Sequence, residues 1–309
     1  MSVEYVVITA LDEGQRLDNF LMRILKGVPK SHVYQIIRTG EVRMNMKRSQ
    51  PSSRLKCGDS VRIPPIRISK PKEEPHVGDK LTQRLIESII YEDPQLLVIN
   101  KPAGIAVHGG SGLSLGVIEA FRKIRKDLPY LELVHRIDKE TSGCLMLAKK
   151  RSILRQIQSQ FEARSVTKIY WALLCDPWVG KQSITVDIPL QKNTLKSGER
   201  MVRVNDMGKA SQTAFKCLEN YQDACWVEVR PLTGRTHQIR VHSAALRHPI
   251  LGDLKYGSDQ VIHGVDEKNQ RLYLHAREIQ FNLDGKNHVF QSPLDERFSE
   301  MLKYLRSKS

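Results

Sequence analysis

The chain has 309 residues, 40% of them hydrophobic and 27% charged, which is enough apolar material for two domains or for one large domain with an appendage. Its 49 Lys and Arg outnumber its 34 Asp and Glu, and the net charge of +15 indicates a polyanionic partner, either a nucleic acid or an anionic membrane face. No stretch approaches the ~18 apolar residues of a membrane span, and the first residues do not resemble a signal peptide, so we expect a cytoplasmic protein that does not bind a membrane.

Residues 14–68 are predicted to form a small unit of two helices followed by two short strands. Apolar residues recur at helical spacing from Gln15 to Leu25, and Ser31 is predicted to cap a second helix. Residues 41–45 and 59–64 have the composition of short strands.

The positive charge of the chain is concentrated in this first unit. Twelve Lys and Arg but only three Asp and Glu lie between residues 14 and 68, so +9 of the net charge belongs to it. Clustered charge of this kind is typical of a surface that binds nucleic-acid phosphates. A solvated basic helical hairpin is the alternative interpretation.

Residues 69–84 have the composition of a linker, with several Lys, Glu and Pro, one Gly and few apolar residues. From residue 85 to residue 309 short apolar strands alternate with amphipathic helices. Strands are predicted at 96–100, 105–108, 131–134, 144–148, 168–174, 201–205, 213–218, 226–232 and 272–282, and helices at 115–128, 152–163, 236–246 and 296–306. The chain is therefore predicted to be α+β, with a large mixed or antiparallel β-sheet in its second domain.

The most distinctive segment is 135–143, with the sequence HRIDKETSG, which lies between two predicted strands. Asp138 follows Arg136 closely and precedes a turn of small residues. A carboxylate beside a fixed cation stays ionised at neutral pH, which is the state that a nucleophile or a general base needs. By itself the segment is explained equally well by a buried Arg–Asp pair at a turn.

Four segments, in order along the chain, resemble the motifs of a family of RNA pseudouridine synthases that acts on large-subunit ribosomal RNA and some transfer RNAs. They are 98–108 (VINKPAGIAVH), 135–143 (HRIDKETSG), 168–173 (KIYWAL) and 233–242 (TGRTHQIRVH). Ile137 in place of leucine is the only departure in the core of the second motif. Residues 14–68 resemble the alpha-L (S4-like) RNA-binding domain of a small-subunit ribosomal protein.

The family resemblance implies a role for four residues of the second domain. Asp138 would be the nucleophile, and Arg240 would pair with it and hold it ionised. Tyr170 would pack against the flipped uracil and help to remove the C5 proton, and Arg136 would fill the gap that the extruded base leaves in the RNA. The local sequence alone favours a core tyrosine at Tyr170. It is equally consistent with a phosphate contact at Arg240, and phosphate binding is the alternative interpretation of Arg136.

The same resemblance implies a reaction without cofactors. Uracil must be detached from C1′, rotated and rejoined through C5, which one ionised carboxylate and a base for the C5 proton can accomplish. We therefore expect no metal, redox cofactor or nucleotide. The five cysteines are scattered without a CxxC pair, which argues against a zinc site and against a disulfide framework.

The implied partner of the first domain is RNA, with the second helix and its cations facing the backbone. The residues from which we expect RNA contacts are Arg16, Lys30, Arg38, Arg43 and Lys47.

Five segments carry a closer resemblance to one branch of the family, and this resemblance implies 23S ribosomal RNA as the substrate. They are KGVPKS, VHGGSGLS, HRIDKETSG, SGERMVRV and TGRTHQIRVH. We expect a monomer that acts on large-subunit RNA, free or in a ribosomal precursor particle. The alternatives are a catalytically silent RNA-binding or ribosome-assembly factor and a synthase for transfer RNA. The attacked atom, C1′ or C6, and the target uridines are left open.

Overall fold

The protein is described here by a computed structural model that covers residues 3–10, 12–25, 27–66, 77–109, 115–194, 200–257 and 271–308. The chain divides into two compact units, Met1–His76 and Val77–Ser309. Residues 69–76 of the predicted linker, and parts of the VHGGSGLS and SGERMVRV segments, lie outside the described residues.

The first unit is a helix pair with a small antiparallel sheet of order β1-β3-β2. Its elements are β1 Glu4–Val7, α1 Leu17–Ile24, α2 Lys30–Arg38, β2 Arg43–Met44 and β3 Ser60–Ile63. The helices meet because each presents an apolar stripe at helical spacing, Leu17, Phe20 and Leu21 on α1 and Val33, Ile36 and Ile37 on α2, and these side chains form the core of the unit.

Two details of the first unit differ from the sequence prediction. Helix α2 begins at Lys30, with Pro29 rather than Ser31 at the N-cap position. A Pro with its fixed φ is compatible with the extended N-cap conformation, and the serine therefore lies inside the first turn. Strand β1, which was not predicted, precedes residue 14 and pairs with β3.

The second unit contains a ten-stranded mixed sheet among its described residues. Its strands are β4 Ile89–Glu92, β5 Leu96–Lys101, β6 Glu132–Leu133, β7 Ser142–Ala148, β8 Thr167–Cys175, β9 Ser183–Asp187, β12 Gln212–Asn220, β13 Ala224–Pro231, β14 Leu274–Leu283 and β15 Lys286–Gln291. The order is β4-β5-β7-β14-β8-β13-β12-β9, with β15 paired to β14 and β6 to β7. Strands β10 Leu190–Thr194 and β11 Arg200–Val204 form a separate antiparallel hairpin.

Helices cover this sheet or connect its strands. They are α3 Asp79–Glu87, α4 Val117–Ile124, α5 Arg151–Glu162, α6 Gln238–Ala245 and α7 Glu296–Ser307. Residues 79–84, which composition assigned to a linker, form most of α3, because Leu85 and its neighbours pack on the core of the unit. Residues 105–108 do not form the predicted strand and follow the turn after β5 as an irregular segment.

Strand β7 lies inside the sheet, between β5 and β14, and fixes the position of the segment that precedes it. All seven of its residues are buried, as expected for a strand that is covered on both faces. It pairs antiparallel with β5 and parallel with β14, where Gly143 lies opposite Ala276. Gly143 has φ +110°, and a Cβ atom there would lie 2.3 Å from the Ala276 carbonyl oxygen, so only glycine permits this approach.

No helix in the described part of the chain is long and apolar enough to cross a membrane.

Candidate active site

A cavity of about 470 Å³ opens where the loop before β7, strand β8 and the start of α6 meet. The residues predicted to be catalytic, together with Arg136, line it: Asp138, Tyr170 and Arg240. They are far apart in sequence and are brought together because β7 and β8 both flank β14 and because α6 follows β13. A volume of this size lies in the range of small-molecule sites and is large enough for one nucleotide.

Asp138 lies in the loop between β6 and β7, and its side chain is 23% exposed. Two cationic or polar side chains face its carboxylate. His237 Nε2 is 3.9 Å from Oδ1, and Arg240 Nη1 is 4.0 Å from Oδ2. These distances are too long for direct hydrogen bonds, but they are short enough for favourable electrostatic interactions in a partly buried site.

Arg240 was expected to pair with Asp138, but its close partner is Asp253. Arg240 Nε and Nη2 donate to the two carboxylate oxygens of Asp253 at 2.8 and 2.7 Å. The Asp253 side chain is fully buried, and a buried guanidinium needs such a bidentate partner to offset its desolvation. Arg240 therefore contributes its charge to Asp138 from a position that Asp253 holds.

Asp253 is a site residue that the sequence analysis missed. Its Oδ1 also accepts hydrogen bonds from the backbone N–H groups of Lys255 and Tyr256, at 2.9 and 3.1 Å. Burial by itself would raise the pKa of Asp253, but the hydrogen bonds and charge of Arg240 lower it below its usual value. The ionised carboxylate lies on a turn 13 residues after Arg240, and no local pattern connects the two.

Tyr170 lies on β8, opposite Val229 of β13 and Ala276 of β14. Burial and the nearby charge of Asp138 raise the pKa of its phenol well above the usual value, so the hydroxyl stays protonated at neutral pH. Lys168, two residues earlier on the same strand, also lines the cavity, and burial lowers its pKa to about 8.

Lys101 holds the Asp138 loop through hydrogen bonds to backbone carbonyl groups. The sequence analysis assigned no role to this lysine. It is completely buried at the end of β5, and its Nζ donates to the carbonyl oxygens of Pro102, Ile105 and Lys139, at 2.8, 2.8 and 3.0 Å. Burial lowers its pKa to about 7. A lysine inside an apolar strand, directly before a Pro-Ala-Gly turn, was the available sequence signal.

His135 and Arg136 precede Asp138 and face different environments. His135 Nε2 accepts a hydrogen bond from Met146 N at 3.2 Å, and its ring stacks on Phe161. This contact fastens the loop to β7 and is structural. Arg136 is exposed and also lines the cavity, where it is available to RNA.

The cations predicted to contact RNA belong to the first unit. Lys30, Arg38, Arg43 and Lys47 are exposed. Arg16 is partly engaged elsewhere, because its Nε and Nη2 donate to the buried Asp18 at 3.1 and 2.6 Å, although 40% of its side chain remains exposed.

Within the described residues, no group of three or more His, Cys, Asp or Glu side chains is arranged to hold a metal ion.

Comparisons with known proteins agree with this fold. Residues 95–245 match the family described as RNA pseudouridylate synthase, and residues 15–61 match the S4 domain. The structure of human RNA Pseudouridylate Synthase Domain Containing 4 superposes with a TM-score of 0.62 at 31% identity, covering 74% of this chain and 96% of that one.

Two relatives match over almost their whole length. The ribosomal large subunit pseudouridine synthase C of Salmonella typhi is 48% identical over 316 residues, which cover 100% of this chain and 98% of that protein. The protein of the same name from Escherichia coli (strain K12) is 48% identical over 314 residues, with 99% and 98% covered. The chain therefore belongs to the RNA pseudouridylate synthase family and carries an S4 domain at its N-terminal end. The predicted α+β fold class and the predicted isomerase activity are confirmed.

Proposed function

We propose that this enzyme isomerises specific uridines of large-subunit (23S) ribosomal RNA, with Asp138 as the nucleophile. The observation that carries the proposal is the position of Asp138, which lies in a nucleotide-sized cavity with His237 and Arg240 facing its carboxylate at 3.9 and 4.0 Å. The choice of RNA is supported by the full-length similarity to enzymes named for the large ribosomal subunit.

In this proposal the target uridine leaves the RNA stack and enters the cavity. Extruding a base costs a few kcal/mol, and the exposed Arg136 at the cavity is suited to fill the gap in the RNA. The carboxylate of Asp138 then attacks the nucleotide, at C1′ or at C6, and the bond between C1′ and N1 breaks. The uracil rotates, C5 joins C1′ and the bond to the Asp138 carboxylate is broken. The C5 proton is lost and N1 gains a proton, so the reaction has no net change in atoms.

Tyr170 is proposed to hold the uracil during this rotation. Its phenol is protonated at neutral pH, so it offers an aromatic face and a hydrogen-bond donor. Contrary to the expectation from the family resemblance, it does not offer a phenolate base for the C5 proton. Arg240 stabilises the ionised form of Asp138 before attack, and Asp253 keeps the guanidinium in place.

For the first domain, we propose that residues 14–68 bind the RNA backbone and that residues 85–309 carry out catalysis. The exposed cations Lys30, Arg38, Arg43 and Lys47, with Arg16, supply the phosphate contacts. We propose further that the enzyme acts in the cytoplasm as a monomer, on free RNA or on a ribosomal precursor particle.

The test is a map of pseudouridines in large-subunit RNA after incubation with the wild-type enzyme and with Asp138→Asn. We expect new marks at discrete uridines with the wild type and none with the variant. RNA affinity should be nearly unchanged, because the substitution removes a nucleophile and leaves the binding surface intact. A variant that retains a tenth of the wild-type rate would contradict the role of Asp138.

Asp284→Asn is the matched control, since Asp284 lies at an exposed turn with φ +51°, a conformation that asparagine adopts readily. It should make the same marks as the wild type. Marks on transfer RNA but not on ribosomal RNA would redirect the substrate assignment, and marks on no RNA would favour a silent RNA-binding or assembly factor.

A further inference from the structure

Tyr256 lies behind the two groups that face Asp138. Its hydroxyl oxygen is 2.7 Å from His237 Nδ1 and 3.1 Å from the backbone nitrogen of Val202. Its ring lies under the guanidinium of Arg240, with Cζ 5.0 Å from the ring centroid. One side chain thus touches the β10–β11 hairpin, His237 and Arg240 together.

The direction of these hydrogen bonds follows from the chemistry of the partners. The Val202 N–H can only donate, so the Tyr256 oxygen accepts there and its own proton is directed to His237 Nδ1. The reverse arrangement would place two donors on one oxygen and leave the phenol proton without an acceptor among the described residues. With Nδ1 accepting, the single proton of a neutral imidazole resides on Nε2, the atom that faces Asp138 Oδ1.

The surroundings of His237 favour the neutral imidazole. Burial is the largest cause that lowers the pKa of His237, and the charges of Arg240 and Lys255 lower this pKa further. The charges of Asp138 and Asp253 act in the opposite direction. The imidazole therefore presents an N–H dipole to Asp138 and not a full positive charge. This dipole supplements the charge of Arg240 without adding a second cation beside it.

The backbone at His237 is also constrained. His237 has φ +51°, in the left-handed region, and stands at the N-cap of α6. A non-glycine residue persists in this conformation only where its surroundings hold it. Val202 and Tyr256 pack with Leu190 and Val241 in a small apolar cluster that joins the hairpin to α6, and Lys192 on the same hairpin lines the cavity.

We infer that Tyr256 is a positioning residue, which ties the β10–β11 hairpin to His237 and holds the imidazole with its Nε2–H toward Asp138. The inference rests on the proposed role of Asp138 as the nucleophile. The β10–β11 hairpin would thereby affect the reaction. A displacement of Val202 would remove the hydrogen bond that its N–H donates to Tyr256, and the imidazole of His237 would no longer be held in one orientation.

The test is Tyr256→Phe, which removes the hydroxyl and keeps the ring under Arg240 and in the apolar cluster. We expect kcat on a large-subunit RNA fragment to fall on the order of tenfold, with KM nearly unchanged, because one hydrogen bond that orients the site is lost. In ¹⁵N NMR of the RNA-free enzyme, His237 should change from the Nε2–H tautomer to a mixture of the Nε2–H and Nδ1–H tautomers.

Tyr130→Phe is the matched control, because the buried Tyr130 hydroxyl has no hydrogen-bond partner within the described residues. It should leave kcat and the His237 signals unchanged.

A double variant separates action through His237 from general loosening of the hairpin. In His237→Gln the carboxamide N–H₂ can face Asp138 whatever Tyr256 does, so adding Tyr256→Phe should change kcat by less than about twofold. An unchanged His237 tautomer in Tyr256→Phe, or the same tenfold loss in the His237→Gln background, would overturn the inference. Because the tautomer is measured without RNA, a wild-type enzyme that modifies no RNA would count against the proposed function alone.

Discussion

At the scale of single residues, Ser142 and His275 form a buried hydrogen-bonded pair at the start of β7, next to the Asp138 loop. Ser142 Oγ accepts from Arg271 Nη2 at 2.8 Å and lies 2.9 Å from His275 Nδ1. His275 Nε2 lies 3.2 Å from the carbonyl oxygen of Ser292. Since a carbonyl only accepts, Nε2 carries the imidazole proton, and the hydroxyl of Ser142 donates to Nδ1.

This arrangement favours a neutral His275. A second proton on Nδ1 would take away the acceptor of the Ser142 hydroxyl proton and would place two donors, Nδ1 and Arg271 Nη2, on one oxygen. Burial is the largest cause that lowers the pKa of His275, to about 4, and the charge of Arg271 acts in the same direction. The unfolded chain, with an ordinary histidine pKa of about 6.5, therefore binds a proton that the folded state excludes.

The free energy of unfolding should consequently decrease as the pH falls below about 6.5, and His275 should account for about 1 kcal/mol of the loss between about pH 7.5 and 5.5. Urea unfolding of the wild type and of His275→Gln at both pH values measures this share, which should be missing from the decline in the variant. His32→Gln, at an exposed position, is the control and should decline as the wild type does. Equal declines in all three proteins would show that His275 is protonated in the folded state.

At the scale of secondary structure, the site depends on the parallel contact between β7 and β14. The two strands are joined at His275–Ser142 and Ala276–Gly143 only, and the Asp138 loop enters β7 at this point. Close approach of the backbones is possible because Gly143 has no side chain.

Gly143→Ala should therefore destabilise the protein by about 3 kcal/mol or more, because the new Cβ must displace the Ala276 carbonyl and alanine is strained at φ +110°. Gly180→Ala separates these two effects. Gly180 also has a positive φ, +97°, but a Cβ there meets no atom within 4 Å, so only the backbone strain of about 1–2 kcal/mol should appear. Denaturant unfolding measures the free energy of unfolding of both variants. Similar losses in the two would show that the β14 backbone moves away from the new Cβ at little energetic cost.

At the scale of the whole molecule, charge is distributed unevenly along the chain. Residues 14–68 of the first unit carry +9 of the net charge of +15, and Lys30, Arg38 and Lys47 are exposed there. The cavity of the second unit is lined by Asp138 and by five Lys and Arg side chains, of which Arg240 is held by Asp253. The proposed function therefore predicts that the first unit contributes strongly to the affinity for the RNA backbone, whereas the chemistry on the base belongs to the second unit.

Replacing Lys30, Arg38 and Lys47 by Gln should weaken RNA binding and reduce the slope of log affinity against log salt concentration by about 2 to 3, because each lost phosphate contact releases about one counterion fewer. Titrations at several salt concentrations measure the slope. A variant with Lys181, Lys286 and Lys303 replaced by Gln has the same change in net charge and should alter the slope less. Equal effects of the two triple variants would contradict the assignment of the RNA surface to the first unit.

Much of this architecture was predictable because its signals are local in sequence. The apolar stripes of α1 and α2, the buried run of β7 and the four motifs of the second unit each lie within contiguous residues, and each reflects a periodicity or a spacing. Errors arose where the local pattern was ambiguous. Residues 79–84 have a linker's composition but join α3, because packing on the core of the unit outweighs their polar character.

The sequence by itself determined the family, the cluster of cations in the first unit and the choice of Asp138, Tyr170 and Arg240, since these depend on residue identities within short segments. Only the tertiary structure decided that Arg240 pairs with Asp253, that Lys101 holds the Asp138 loop and that Tyr256 reaches both the hairpin and His237. The physical reason is that a buried charge or polar hydrogen needs a partner in space, and sheet register and loop packing determine which distant residue supplies it.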